Sequence, residues 1–288
     1  MCIAPVTLTS EKGFRVLGKS ERTITVPCGK CPDCKKKRIA QWVFRLQNEY
    51  QHSENGWFIT CTYSDENLTY GDTRPLLYYP DHQNFLKRLR TYLTRKYNWK
   101  HKIKYYACGE YGDKGDRPHY HYILFNLPES LTTGNYNRDE KRTIYYELEH
   151  LWKMGYVDVQ PANSNTMAYV ASYVQKRAYQ RRAEYTDITP ERSFCSRGLG
   201  LNFITPEIKR HYRTTLTPYM THADGEKLSW PRYYKDKIFT DEEKIEVGIK
   251  GKQFIEEKPE LSDKDDFEVR KQKFQKAKRM EKLKRKTI

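Results

Sequence analysis

The stretch Cys108-Gly109-Glu110-Tyr111-Gly112-Asp113-Lys114-Gly115-Asp116-Arg117-Pro118-His119-Tyr120-His121-Tyr122-Ile123-Leu124-Phe125 decides how this chain is read. Two histidines flank one bulky residue and run into Ile-Leu-Phe, a strand pattern. Because side chains alternate across a strand, His119 and His121 share one face and Tyr120 takes the other, outward-facing side. Residues 103–110 also read as a strand, and Gly112, Gly115 and Pro118 supply a loop that folds one strand back beside the other, bringing Glu110 to the histidine pair. Two imidazoles and a carboxylate suit a divalent cation of the magnesium or manganese kind, with positions left for phosphate oxygens. The bland alternative is a pair of half-buried strand histidines in a chain that holds eight.

Some fifty residues downstream lies Ala168-Tyr169-Val170-Ala171-Ser172-Tyr173-Val174-Gln175-Lys176, preceded by Asn163, Ser164 and Asn165, which offer helix N-caps. At about 100° per residue, Tyr169, Tyr173 and Lys176 fall in one stripe, with Met167, Val170, Ala171 and Val174 on the opposite side. The valines anchor such a helix and the phenol hydroxyls point elsewhere, beside a cation. Tyrosine, with an ordinary pKa near 10, is a poor nucleophile unless a lysine or metal favours the phenolate, and Lys176 is spaced to help. The alternative is a tyrosine-rich surface in a chain with 24 tyrosines.

Joined together, these residues resemble the HUH endonuclease superfamily, and within it the rolling-circle replication initiators of microviruses, in particular the gokushovirus-like branch. That family pairs Gly-Glu-Tyr with Arg-Pro-His-x-His and follows them with Tyr-Val-Ala-x-Tyr-Val-x-Lys; Gly109 to Tyr111, Arg117 to His121 and Tyr169 to Lys176 carry this pattern in order. Phe58-Ile59-Thr60-Cys61-Thr62-Tyr63 looks like its first motif, Cys2 with Cys28-Gly29-Lys30-Cys31-Pro32-Asp33-Cys34 like its cysteine cluster, and Trp230-Pro231-Arg232-Tyr233-Tyr234 like a late segment. Tyr120 stands where the family often has a small or aliphatic residue. The resemblance implies a nickase and ligase of single-stranded origin DNA that forms a 5'-phosphotyrosine. Glu110, His119 and His121 would hold Mg2+ or Mn2+, Tyr169 and Tyr173 would alternate as nucleophiles with Lys176 beside them, and host replication proteins would be partners.

Composition sets limits independent of any family. A chain of 288 residues with 37% hydrophobic and 31% charged residues can bury one good core and leaves much surface or extension. The expected organisation is a cysteine-cluster segment with its helix over 1–50, an endonuclease core over 51–180, and an extension with a basic tail over 181–288. A net charge of +16 favours a polyanionic partner, because clustered Lys and Arg release the counterions of a nucleic acid. With no early apolar run for a signal peptide and no membrane span, a cytoplasmic protein is expected.

Seven cysteines, an odd number, argue against a disulfide framework in such a chain. Cys28, Cys31 and Cys34 recur at every third residue around Gly29 and Pro32, a spacing at which thiolates on a tight knuckle converge on one ion, and Cys2 can come in as the fourth ligand. Structural zinc is the favoured occupant; an iron-sulfur cluster would use the same thiolates, and free reduced cysteines are the third alternative. Cys61, Cys108 and Cys195 read as ordinary buried or half-buried thiols.

The remaining periodicity fills in the fold. Ile39, Trp42, Val43, Leu46 and Tyr50 mark a helix with a basic entrance, and residues 57–63 a strand with Thr60 and Thr62 on one side. Asp81 is expected to cap a helix that turns Phe85, Leu89, Tyr92 and Leu93 inward and offers Lys87, Arg88, Arg90, Arg95 and Lys96 to solvent or to backbone phosphates. Ile144, Tyr145, Leu148, Leu151 and Trp152 mark a third helix ended by Gly155, and residues 156–160 a strand stopped by Pro161. This order predicts an α+β fold with an antiparallel central sheet and flanking helices, the ferredoxin-like arrangement the resemblance also implies. Arg177, Arg181, Arg182, Arg192, Arg197 and Arg210 read as a nucleic-acid loop or a solvated connector, and residues 268–288 as a basic helix or arm. Two rivals remain: a non-catalytic zinc-dependent nucleic-acid-binding protein, and a relaxase or transposase of the same superfamily.

Overall fold

Strand alternation builds the centre of this protein, seen here in a computed structural model that describes residues 2–16, 19–71, 74–112, 116–176, 189–221, 225, 227–256 and 264–284. The elements run β1 (Val6–Val16), β2 (Lys19–Val26), α1 (Pro32–Gln51), β3 (Gly56–Tyr63), α2 (Tyr79–Tyr97), β4 (Lys104–Tyr111), β5 (Pro118–Phe125), α3 (Glu129–Thr132), β6 (Asn135–Asn137), β7 (Arg142–Ile144), α4 (Tyr146–Trp152), β8 (Gly155–Pro161), α5 (Ser164–Lys176) and β9 (Ser193–Cys195). After these come α6 (Pro206–Thr215), β10 (Tyr219–Thr221), β11 (Lys227–Ser229), α7 (Arg232–Ile238), α8 (Asp241–Glu256) and α9 (Lys264–Lys284). The chain divides into two compact units, one spanning residues 42–203 and the other joining residues 1–41 to 204–288.

In the first unit five antiparallel strands pair in the order β8-β3-β5-β4-β9, the α+β sheet expected from the sequence. The register sets Thr60 opposite His121, Thr62 opposite His119, and Glu110 opposite His119, so these side chains share one face. The other face carries Tyr120, Tyr122 and Leu124 against Phe85, Leu86, Leu89 and Leu93 of α2 and Leu148, Leu151 and Trp152 of α4. Tyr120 is therefore fully buried rather than outward-facing, its ring 5.8 Å from those of His82 and Trp152. Helices cover both sides of the sheet, so alternation separates two interiors instead of an inside and an outside. Gly109, the cross-strand partner of Tyr120, makes room for that ring: a Cβ there would stand 2.9 Å from Tyr120.

The first face packs Phe58, Tyr106, Cys108, Ile123 and Phe125 under Leu46 of α1 and Met167 and Val170 of α5. Asn163 caps α5 as expected, its Oδ1 accepting from the amides of Asn165 and Thr166 at 2.9 and 3.0 Å. Other local expectations are corrected. Asp81 lies inside the first turn of α2, behind Pro80, and accepts the Tyr63 hydroxyl at 2.9 Å rather than capping. The α4 helix ends at Lys153 in the left-handed region (φ 67°), and Gly155 instead opens β8, where a Cβ would lie 2.4 Å from the Ser64 amide. In α1 Tyr50 is exposed, whereas Arg45 and Glu49 are buried, Arg45 on the Leu199 carbonyl at 2.9 Å and Glu49 on Lys104 at 2.8 Å. Arg88 is drawn from the α2 charge run to the Leu151 and Trp152 carbonyls, and Lys96 to Glu147, so this part of the run ties helices together. Cys61 and Cys108 are buried and Cys195 is exposed.

The second unit holds the β1–β2 hairpin, the cysteine knuckle at the head of α1, and α6 to α9. Trp230 is buried there against Tyr212, at 4.6 Å between rings, and donates to the Thr217 carbonyl at 2.8 Å; the late Trp-Pro-Arg-Tyr-Tyr segment is thus a packing element, with Pro231 preceding α7 and Tyr234 buried within it. The basic tail forms helix α9. Among the described residues no helix is long and apolar enough to cross a membrane.

Candidate active site and metal centres

Adjacent strands β4 and β5 deliver Glu110, His119 and His121 to one spot, where an oxygen or ring nitrogen from each lies within 4.8 Å of the others. His119 Nε2 is 2.7 Å from Glu110 Oε1, and His119 Nδ1 is 3.1 Å from the Arg117 carbonyl. A carbonyl only accepts, so Nδ1 carries the proton and the Nε2 lone pair faces a carboxylate. Two acceptors face each other in that way only with a proton or a cation between them. His121 Nδ1 is held by Thr60 Oγ1 at 3.0 Å, and the Phe58 ring stacks on the imidazole at 5.5 Å. This hold from behind aims His121 Nε2 at the same spot. Both His121 Nε2 and Glu110 Oε2 are buried without a hydrogen-bond partner. Orphaned buried polar atoms are costly, and a divalent cation satisfies both, so the donor set fits one.

Burial works to raise the Glu110 carboxyl, but the hydrogen bonds from His119 and His121 prevail and hold it below the usual carboxylate value. Burial pulls His121 below the ordinary histidine value against the opposing pull of Glu110. The result is an ionised carboxylate beside a neutral imidazole, the protonation states metal ligands require.

Tyr169 and Tyr173 project from α5 onto this group. Their hydroxyls are 2.7 Å apart, and their ring centroids lie 5.4 and 5.3 Å from that of His121. Met167, Val170 and Ala171 are buried on the helix's other side, so the apolar stripe seats α5 and leaves the phenols over the histidines. Burial raises both phenols, Tyr173 more strongly because it faces Tyr169 and Glu110 as well. The Lys176 side chain lies outside the described residues, as do Arg177, Arg181 and Arg182. Sequence reading missed the bond that Thr60 makes to His121, although it placed Thr60 on a strand; the register across three strands is what reveals it.

The cysteines form a second group in the other unit, with the Sγ atoms of Cys2, Cys28, Cys31 and Cys34 within 4.8 Å of one another. Sγ of Cys2 is 3.6 Å from that of Cys28 and 3.9 Å from that of Cys31. Thiolates bound tetrahedrally at about 2.3 Å stand about 3.8 Å apart, so these separations fit a four-thiolate ion. Burial works against ionisation of Cys31, yet hydrogen bonds at Cys34, Ile3 and Cys28 bring it down to about 7. Cys34 is pushed up to about 12 by burial and by its bond to Cys31. Amides of Lys30 and Cys31 point at the Cys28 sulfur at 3.4 and 3.3 Å, the knuckle geometry that stabilises thiolate charge.

Comparison with known proteins gives this site its class. Residues 56–178 match the family model described as replication-associated protein ORF2, a span that contains β3 to α5 and every residue of the Glu/His/His and tyrosine group. The replication-associated protein ORF2 of Spiroplasma virus 4 is 29% identical over 218 residues, covering 74% of this chain and 68% of that protein. The replication-associated protein ORF4 of Chlamydia phage 1 is 32% identical over 223 residues, 74% of this chain and 53% of its own length. The replication-associated protein VP4 of Bdellovibrio phage phiMH2K is 26% identical over 287 residues, covering 92% of this chain and 88% of that protein. The chain belongs to this group of phage replication-associated proteins, the microvirus replication initiators. No solved structure matches it.

Proposed function

We propose that this chain initiates rolling-circle replication by nicking and rejoining single-stranded DNA at the viral origin. The observation that carries the reading is the placement of two hydrogen-bonded tyrosine hydroxyls against His121, directly over a buried Glu/His/His group. A non-catalytic binding protein has no use for that arrangement, and the net charge of +16 suits the polyanion.

Glu110, His119 and His121 would hold Mg2+ or Mn2+, which when bound supplies Lewis-acid polarisation of the scissile phosphate and neutralises its gathering charge. The tyrosines do the covalent work. The oxygen of Tyr169 or Tyr173 attacks phosphorus in line, an O–P bond forms to the phenol, and the P–O3' bond breaks to leave a 3'-hydroxyl that takes up a proton. With the hydroxyls 2.7 Å apart, one donates to the other as it loses its proton, which offsets the burial that raises both. The phosphodiester energy is kept in the 5'-phosphotyrosine, so rejoining needs no nucleotide triphosphate. Two phenols one helical turn apart let one hold the old end while the other cuts the new origin. Thr60 and Phe58 fix the His121 ring, and the Arg117 carbonyl fixes His119. The four cysteines would hold a structural zinc in the other unit.

The test is incubation of the chain with end-labelled single-stranded phage origin DNA and manganese, resolved on a denaturing gel. A covalent adduct is expected from the wild type and from Tyr169→Phe and Tyr173→Phe singly, and none from the double variant. An adduct surviving in the double variant, or mapping to another tyrosine, overturns the assignment.

A further inference from the structure

The face that carries the Glu/His/His group continues sideways into a cavity of about 390 Å³. Thr62 lines it and is the cross-strand partner of His119, and Tyr156 is the partner of Thr62 on the next strand. Tyr156, Thr62 and His119 thus form one row, and at ~4.8 Å per strand the Tyr156 backbone stands about 10 Å from that of His119. The β6–β7 hairpin supplies the facing wall with Tyr136, Lys141 and Thr143.

Three features of the cavity select its ligand. Its two tyrosines are open to solvent, Tyr136 at 67% and Tyr156 at 47% exposure. Arg142 lies over the Tyr156 ring with its guanidinium carbon 4.7 Å from the centroid, while its nitrogens bond Glu140 at 2.7 Å and Glu149 at 2.5 Å. The charge of Arg142 is already matched, so its contribution is to hold the ring still before a ligand arrives, which lowers the ordering cost of stacking on it. Lys141, in the left-handed region at φ 52°, makes no ion pair among the described residues and faces the same space. The carboxylate among the lining residues, Asp158, accepts from the Gln160 amide at 3.0 Å and repels phosphate from its side.

We propose that this cavity binds an unstacked nucleotide of single-stranded DNA next to the phosphate presented to Glu110, His119 and His121, with its base on Tyr156 and Tyr136 and its phosphodiester at Lys141. The inference rests on the reading of the chain as a single-strand nickase and adds the subsite that orients the strand. Aromatic rings accept any base face and contribute without reading base edges, whereas a lone lysine contributes through the backbone charge.

The experiment uses the full chain in EDTA, where no cutting occurs, and measures anisotropy of labelled oligothymidylate against an abasic deoxyribose-phosphate oligomer of equal length and charge. The Tyr136→Ala, Tyr156→Ala double variant is expected to lose on the order of tenfold in affinity for oligothymidylate and to hold the abasic oligomer as the wild type does. Phenylalanine at both positions should restore binding, and Lys141→Ala should weaken both oligomers alike. Ultraviolet crosslinking of an iododeoxyuridine oligomer should map to Tyr136 or Tyr156. Equal loss on both oligomers for the tyrosine variant, no loss at all, or crosslinks only elsewhere overturns the subsite. Because binding is read without cleavage, failure of the nickase assay and failure of this subsite are separate results.

Discussion

The two candidate metal groups are built in opposite ways. Cys28, Cys31 and Cys34 sit within one knuckle at the head of α1 and need a single distant partner, Cys2. Glu110, His119 and His121 come from two strands whose register is set by the whole sheet, with Thr60 from a third strand and the tyrosines from a helix laid across it. A local knuckle is assembled by short loop closure and made stable by its ion, whereas a sheet-borne site is held rigid by the core before any ion binds. Losing a ligand should therefore unfold the first and merely silence the second.

That contrast is broken most sharply by removing an imidazole. His121→Ala is expected to lower nicking by roughly 10³-fold or more while changing the melting temperature little and affinity for single-stranded DNA less than about twofold; gel assay, thermal melt and anisotropy on one preparation decide it. A variant that melts early instead would put the sheet-borne site in the same class as the knuckle.

Cys31→Ser is the converse. The wild type should carry about one zinc per chain, and the variant or chelated protein should lose several kcal/mol of stability, read by metal analysis and denaturant unfolding. Zinc-free protein with unchanged unfolding would remove the structural role.

A smaller effect tests the sheet's own rigidity. His82 is buried among Tyr120, Tyr122 and Phe194, with Nδ1 3.0 Å from the Tyr122 hydroxyl, and burial together with Arg90 pulls it to about 4. The unfolded chain takes up this proton near pH 6.5 and the folded chain does not until about 4. Stability from neutral His82 is thus fully present above pH 6.5 and lost as pH falls toward 4, about 3 kcal/mol in all. Urea titrations across this window should show a slope one proton shallower in His82→Gln than in the wild type.

The mildest change is Thr60→Val, which removes the hydroxyl that holds His121 Nδ1. Manganese affinity should drop about 10- to 100-fold, with activity regained at high manganese. Activity that stays low at saturating metal would mean that Thr60 acts on the DNA instead.

What was legible in the chain was local. Alternation put His119 and His121 on one face, helical spacing put Tyr169 and Tyr173 opposite Val170 and Ala171, and a three-residue repeat grouped Cys28, Cys31 and Cys34, because each depends only on backbone periodicity. The α+β order followed from the same periods. Whatever depends on a partner far along the chain was decided by the tertiary structure. Tyr120 is buried because α2 and α4 cover its face, Arg45 and Glu49 because Leu199 and Lys104 meet them, and Arg88 serves the end of α4 rather than a phosphate. Charged side chains in particular read as surface in a sequence, since nothing local shows the carbonyl or opposite charge that lets them be buried. The strand register that sets Thr60 beside His121, and Thr62 and Tyr156 in the row leading from His119, arises only when β3, β5 and β8 pair.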